Sequence, residues 1–324
     1  MANPGEFTDI SFAVTSDKGK LGTRAALLIK SIRNHYPKAK IYNFIPELSY
    51  PDLNNDLKSF FESSSTVIVD EIPMPEYPLT ALHRAFIEAA NASDSRYIAA
   101  LDTDTILLSK LQKPDTNGDP ELFLKPEDSG EDYWGSSHSK DDWRGVYNHF
   151  GVEPPKMPSN LYSSVDNRQL IAPYYQGAVI ITQNRNFPSR WLEMTREAVD
   201  EEIYDHDESW FHEQIVLGVL STQYDVGLLS NEQNYPLYAR LNCPSDVQLV
   251  HYVRDGTLSR FKDSPQFKAV TQFREFDEVA TPATLSDYYR IFYDNISRFI
   301  PYPYHQKINI PISWARTTLE FIRS

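Results

Sequence analysis

Two aspartates separated by a single residue close the segment Tyr97-Ile98-Ala99-Ala100-Leu101-Asp102-Thr103-Asp104. The residues before them are apolar or aromatic and predict a buried strand. Side chains two positions apart on an extended chain point to the same side, so Asp102 and Asp104 bring two negative charges together where water is scarce. Left uncompensated, that pair is costly, and a divalent cation removes the cost. Hard ions such as Mg2+ or Mn2+ take oxygen ligands with an occasional imidazole. Of the eight histidines, His251 alone ends an apolar run, Val247-Gln248-Leu249-Val250, which places it at another strand terminus. The plainer alternatives are a turn whose carboxylates cap backbone amides and a histidine that only packs. Spacing alone is weak evidence, because Asp205-His206-Asp207 repeats it. That copy follows a charged helix and reads as a helix cap.

The elements that must carry these residues alternate in type. Ile10 to Val14 reads as a strand, and Leu21, Ala25, Leu28, Ile29, Ile32 and Tyr36 recur at helical spacing until Pro37. Lys40 to Ile45 predicts a second strand, Asp56 to Glu62 a helix, Thr66 to Ile72 a third strand, and Leu82 to Ala90 another helix. Arg96 to Leu108 follows as a strand interrupted by Asp102-Thr103-Asp104-Thr105. This order predicts an α/β fold with a mixed, mainly parallel sheet flanked by helices and ligands at the carboxyl ends of its strands. Residues 127–171 lose the pattern and read as a lid or acceptor-binding insertion rich in aromatic residues, Tyr133, Trp134 and Trp143 among them. With Tyr174 and Tyr175 these either stack on a ligand or form a satellite core. Further on, Ala178 to Thr182, Val226 to Leu229 and Val247 to Val253 predict strands. Helices are expected over Trp191 to Ala198 and from about Ser209. A catalytic domain over residues 1–284 and a helical tail over 285–324 are the expected division.

The 31 Lys and Arg residues against 45 Asp and Glu give a net charge of −14, which repels polyanions and argues against a nucleic-acid partner. A single cysteine, Cys243, forms no intrachain disulfide and no thiolate zinc site. Met1 to Asp9 has no basic flank followed by an apolar run, and no apolar stretch approaches the ~20 residues of a membrane span. A cytoplasmic location is therefore expected. The tail from Leu285 carries Arg290, Arg298, Lys307, Arg316 and Arg323 among aromatics, so it either packs on the catalytic domain or touches a membrane surface.

Over residues 10–256 the sequence resembles nucleotide-sugar glycosyltransferases of the GT-A fold, most closely the glycogenin-like and lipopolysaccharide galactosyltransferase-like group. Phe12-Ala13-Val14-Thr15 with the following helix resembles that group's nucleotide-binding start, and Leu101-Asp102-Thr103-Asp104 its metal motif. Arg84 resembles the donor-contacting arginine, although alone it would read as a partner of Glu88. Tyr175-Gln176-Gly177-Ala178-Val179 resembles an Asn-x-Gly strand with Gln for Asn, and Glu213-Gln214 stands where the group has Asp-Gln. Val250-His251-Tyr252 looks like the last metal-binding segment.

The resemblance implies Mn2+ or Mg2+ on Asp102, Asp104 and His251, and a nucleotide diphosphate sugar contacted by Ala13, Thr15, Arg84, Asp102, Thr103, Gln176, Gly177 and Arg254. It also implies a glycan, lipid-linked or protein acceptor. It favours retention, with Gln214 beside the anomeric centre and Glu213 on a sugar hydroxyl; in an inverting enzyme Glu213 would be the base. The family's His-x-x-Gly-x-x-Lys-Pro-Trp ending is missing, so the diphosphate-binding lysine is replaced by Arg254, Arg260 or Lys262. Two other readings compete. Asp102-Thr103-Asp104-Thr105 also resembles the nucleophile motif of haloacid-dehalogenase-type phosphatases, though that motif opens its fold and this one follows three strand-helix units. A non-catalytic nucleotide-sugar-binding protein is the other.

Overall fold

Alternation along the central strands decides the architecture. In β1 (Ile10–Thr15), Phe12 and Val14 pack into one apolar cluster and Ala13 into another. The computed structural model, which describes residues 5–116, 118–128, 140–156, 161–162, 170–203, 211–284 and 288, buries both faces of the sheet accordingly. One face is covered by α1 (Lys20–His35) and α2 (Asn55–Ser64). The other carries α3 (Ala81–Ala92), α5 (Phe187–Asp200) and α6 (His212–Ser221), and α4 (Lys140–His149) adds Trp143 and Tyr147 to the same core. Local signals set the helix ends: Asn54 accepts the Leu57 amide at 2.8 Å as the cap of α2, and α1 stops before Pro37.

The remaining strands are β2 (Ile41–Pro46), β3 (Thr66–Asp70), β4 (Tyr97–Leu101), β5 (Thr105–Leu107), β6 (Leu122–Pro126), β7 (Leu161–Tyr162), β8 (Leu170–Ile171), β9 (Tyr175–Thr182), β10 (Val226–Leu228), β11 (Tyr235–Pro236) and β12 (Leu249–His251). Six of them join β1 in one seven-stranded sheet, in the order β10-β6-β9-β4-β1-β2-β3. Only β9 runs against its neighbours β4 and β6, so the sheet is mixed and mainly parallel, as expected. A second, three-stranded sheet, β11-β12-β5, has its own core, built on Ile106, Val250, Tyr252 and Phe267.

The interrupted strand is thus two strands in two sheets: β4 ends in the large one and β5 begins the small one. His251 does sit at a strand terminus, but on β12, antiparallel to β5 and paired with Thr105, and not on the large parallel sheet. β6 was not foreseen, because Leu122-Phe123-Leu124 is a short apolar run between polar residues and Pro126. Trp143, Tyr147 and Tyr174 are fully buried and Tyr175 is 7% exposed, so these aromatics form core. Tyr133, Trp134, Asp205-His206-Asp207 and nearly all of the tail lie outside the described residues. Among the described residues no helix is long and apolar enough to cross a membrane.

Candidate active site

The two sheets meet at Asp102-Thr103-Asp104, and backbone bonds fix that junction. Asp102 N–H donates to Ala178 O on β9 at 3.0 Å, Thr105 N–H returns to Asp102 O at 3.2 Å, and Tyr252 N–H donates to Asp104 O at 3.0 Å. The buried Tyr252 hydroxyl adds a bond to Thr103 O at 3.4 Å. Because β5 pairs with β12, His251 is delivered beside Asp104, with Nε2 3.2 Å from Oδ1. That contact lacks hydrogen-bond alignment: Asp104 Oδ1 and His251 Nδ1 are buried with no hydrogen-bond partner. Asp102 Oδ1 accepts the Thr103 amide at 2.7 Å, so one of its oxygens does cap backbone, as the plainer alternative had it.

Burial, then the adjacent Asp104, push Asp102 up to about 6. For Asp104, burial is outweighed by the charge of His251, and its carboxyl titrates below the ordinary range. His251 is raised, burial being outweighed by Asp104 and Asp102. The trio is thus two carboxylates and one imidazole, each titrating under the charge of the others.

These residues open onto a cleft of about 430 Å³. Thr15, Thr103, Gln176, Gly177, Glu213 and Gln214 line it together with Asp102, Asp104 and His251. Glu213 is 8% exposed and sits in the first turn of α6; its Oε2 accepts the Tyr77 hydroxyl, and its carbonyl accepts Trp191 Nε1 at 2.8 Å. Burial pushes Glu213 up to about 7. Gln214 Oε1 is buried without a hydrogen bond, and its side chain lies over Gly177, where an added Cβ would stand 3.7 Å away. The cleft's apolar rim includes Leu21 and Leu79, each 42% exposed.

Three expected donor contacts are not brought there. Ala13 is fully buried in β1 and does not line the cleft. Arg84 does not line the cleft: it bonds Asp70, the last residue of β3, at 2.9 Å and Glu88 at 2.5 Å. Arg254 does not line the cleft either, although its neighbour Val253 does. Of the other substitutes for the missing lysine, Arg260 donates to the carbonyls of Arg240 and Leu237, and Lys262 pairs with Asp277.

Sequence reasoning missed the wall beside His251: Glu127, Asp128 and Tyr238, with Lys125 behind them. Their signal was Lys125-Pro126-Glu127-Asp128 at a strand end, hidden because β6 itself was not recognised. His83 and Val253 also line the cleft. Val253 has φ 57°, a conformation that a β-branched residue seldom adopts, and Arg254 N–H closes a tight turn to Tyr252 O at 2.5 Å.

A mainly parallel sheet with one reversed strand thus carries a carboxylate-lined cleft at the ends of its strands. Residues 12–225 match the model of the Rhodobacterales glycosyltransferase domain, and the chain belongs to that family. The haloacid-dehalogenase reading falls with it. Among solved structures the chain is similar to the galactosyltransferase LgtC in complex with donor and acceptor sugar analogs, at 13% identity and a TM-score of 0.47, covering 87% of this chain and 99% of that one. It is also similar to an active-site mutant of LgtC, at 15% identity and a TM-score of 0.46, covering 86% of this chain and 98% of that one. Comparison with curated proteins gives no match.

Proposed function

We propose that this glycosyltransferase is metal-dependent and transfers a sugar with retention from a nucleotide diphosphate sugar to a hydroxyl of a glycan, lipid-linked or protein acceptor. The observation that carries the proposal is the convergence of Asp102, Asp104 and His251 at the head of the cleft, with the buried Asp104 Oδ1 lacking a hydrogen bond. Two carboxylates and an imidazole suit Mn2+ or Mg2+. When bound, such an ion supplies Lewis-acid stabilisation of the departing diphosphate.

The chain's own residues do the rest. Thr15 and Thr103 offer hydroxyls at the nucleotide side. Glu213, held by Tyr77, takes a sugar hydroxyl, and Gln214 presents its unpartnered Oε1 to the face of the sugar opposite the leaving group. The bond from the anomeric carbon to the diphosphate oxygen breaks with its electron pair on that oxygen. The acceptor oxygen then bonds the same carbon from the same side, and the leaving diphosphate takes its proton. The apolar rim at Leu21 and Leu79 excludes water from the reacting atoms. Residues 1–284 form the catalytic domain in this reading and 285–324 an appended tail.

Thermal-shift titration with nucleotide diphosphate sugars, with and without Mn2+, tests the proposal. The parent gains stability only with both present, and Asp104→Ala loses that gain while folding normally. An Asp104→Ala protein that responds to Mn2+ as the parent does would overturn the metal assignment.

A further inference from the structure

Behind the cleft wall beside His251 lies a feature that transfer chemistry alone does not require, a lysine with no exposure. Lys125 is 0% exposed and its ammonium pairs with Asp128, itself 2% exposed. Lysine is rarely buried so completely, and as a stability device the pair is poor, because an apolar pair of similar volume serves a core as well or better. Its position is built by the backbone. β6 pairs regularly with β9 through Leu124 and Ile180, and the register then slips so that Pro126 faces Tyr175. Such irregularities re-aim side chains beside sites.

From Asp128 the polar contacts run outward along the cleft wall. Gln176 Nε2 donates to Glu127 Oε1 at 2.7 Å and to Asp128 Oδ2 at 3.0 Å, so its amide has one orientation, nitrogen toward the acids. Tyr238 donates its hydroxyl to Asp128 Oδ2 at 2.5 Å and sets its ring edge-on to His251, centroids 5.6 Å apart. Glu127, Asp128, Gln176 and Tyr238 all line the cleft. Lys125 does not.

We propose that Lys125 is a positioning residue for transfer: its buried ammonium fixes Asp128, and through Asp128 it holds Gln176 and Tyr238 in the orientation that receives the sugar. The inference rests on the donor-binding reading of the cleft. With Lys125 removed, Asp128 loses the ammonium that fixes its Oδ1, and the Gln176 amide held on its other oxygen loses its fixed direction. Burial, then Asp128, also push Glu127 up to about 8.

A double-mutant cycle decides the matter. Lys125→Met, Asp128→Asn and the double variant are compared with the parent for kcat, donor KM, thermal midpoint, and stabilisation by a nucleoside diphosphate with Mn2+. Lys125→Met should lower kcat on the order of 10²-fold, as misplacement of a positioned group does. Asp128→Asn should do likewise, and the double variant should be no slower than Asp128→Asn while recovering the thermal midpoint lost in Lys125→Met. Losses that multiply in the double variant, or a Lys125→Met enzyme with parental kcat and KM per folded molecule, would overturn the proposal. If the parent itself shows no nucleoside diphosphate response, the donor-binding reading is what fails. Lys125 is then judged by the Gln176 side-chain amide protons, whose slowed exchange in the parent should be lost in Lys125→Met; unchanged exchange would sink the positioning role.

Discussion

Glu213 is an acid that burial makes harder to ionise. Its ordinary value is 4.5, and burial raises it to about 7 in the folded chain. The unfolded chain therefore releases this proton first as pH rises, and between those two values the native state binds more protons than the unfolded one. Stability through Glu213 is complete below about pH 4.5, declines as pH rises toward 7, and is level above it. Glu213→Gln keeps the shape and accepts the Tyr77 hydroxyl without ever ionising. In metal-free protein it should match the parent near pH 5 and exceed it at pH 8 by on the order of 2–3 kcal/mol, read by urea denaturation at the two pH values. Equal stabilities at pH 8 would mean that Glu213 ionises freely in the fold. At the same scale, His251→Ala should raise the Mn2+ concentration needed for half-maximal rate, and a parental titration curve would remove His251 from the ligand set.

Two short elements around the cleft are held under local constraint. The turn after β12 places Val253 at φ 57° between anchors on both sides, Tyr252 on the Asp104 carbonyl and Asp255 on Arg24 at 2.6 Å. Val253→Gly relieves that strain and should raise the free energy of unfolding by about 1 kcal/mol, seen as a higher thermal midpoint. A lower midpoint would show that the valine's packing outweighs its strain. Helix α6 approaches the chain at Pro173 so closely that a Cβ on Gly218 would lie 2.1 Å from the Pro173 carbonyl oxygen. Backbone cannot yield as a side-chain tip does, so Gly218→Ala should cost at least about 1–3 kcal/mol, measured by denaturant unfolding. These constraints bear on what could be read beforehand. Strands and helices with clean periodicity, such as Ile10–Thr15 and Lys20–His35, were legible, and so was the carboxylate pair at the end of an apolar strand. The split of β4 from β5 was not, because both halves are apolar and only pairing partners distinguish them. Arg84 was misplaced by the family resemblance, whereas its helical spacing to Glu88 named the partner it has. Lys125 escaped notice because a lysine's burial depends on an acid three residues on and on a slipped register.

At the scale of the molecule, a ligand that binds only the folded chain stabilises all of it. A nucleotide diphosphate sugar with Mn2+ at 100 times its Kd should add about 2.7 kcal/mol to unfolding, and a chelator should abolish the gain. A gain that survives chelation would mean binding without metal. Asp102 follows the last residue of β4 in the large sheet, whereas Asp104 precedes β5 and His251 ends β12 in the small one; the two sheets meet through the junction's hydrogen bonds and through apolar packing of Leu107 and Leu249. An ion gripped by all three is then a rivet through two plates. Its seating would stiffen the joint more than either plate, so amide hydrogen exchange at Ile106 and Val250, which pair across β5 and β12, should slow on adding Mn2+, while the distant pair of Phe44 and Ile68 on β2 and β3 should keep its rate. The same joint would make catalysis sensitive to substitutions far from any substrate, wherever they alter the angle at which the plates meet.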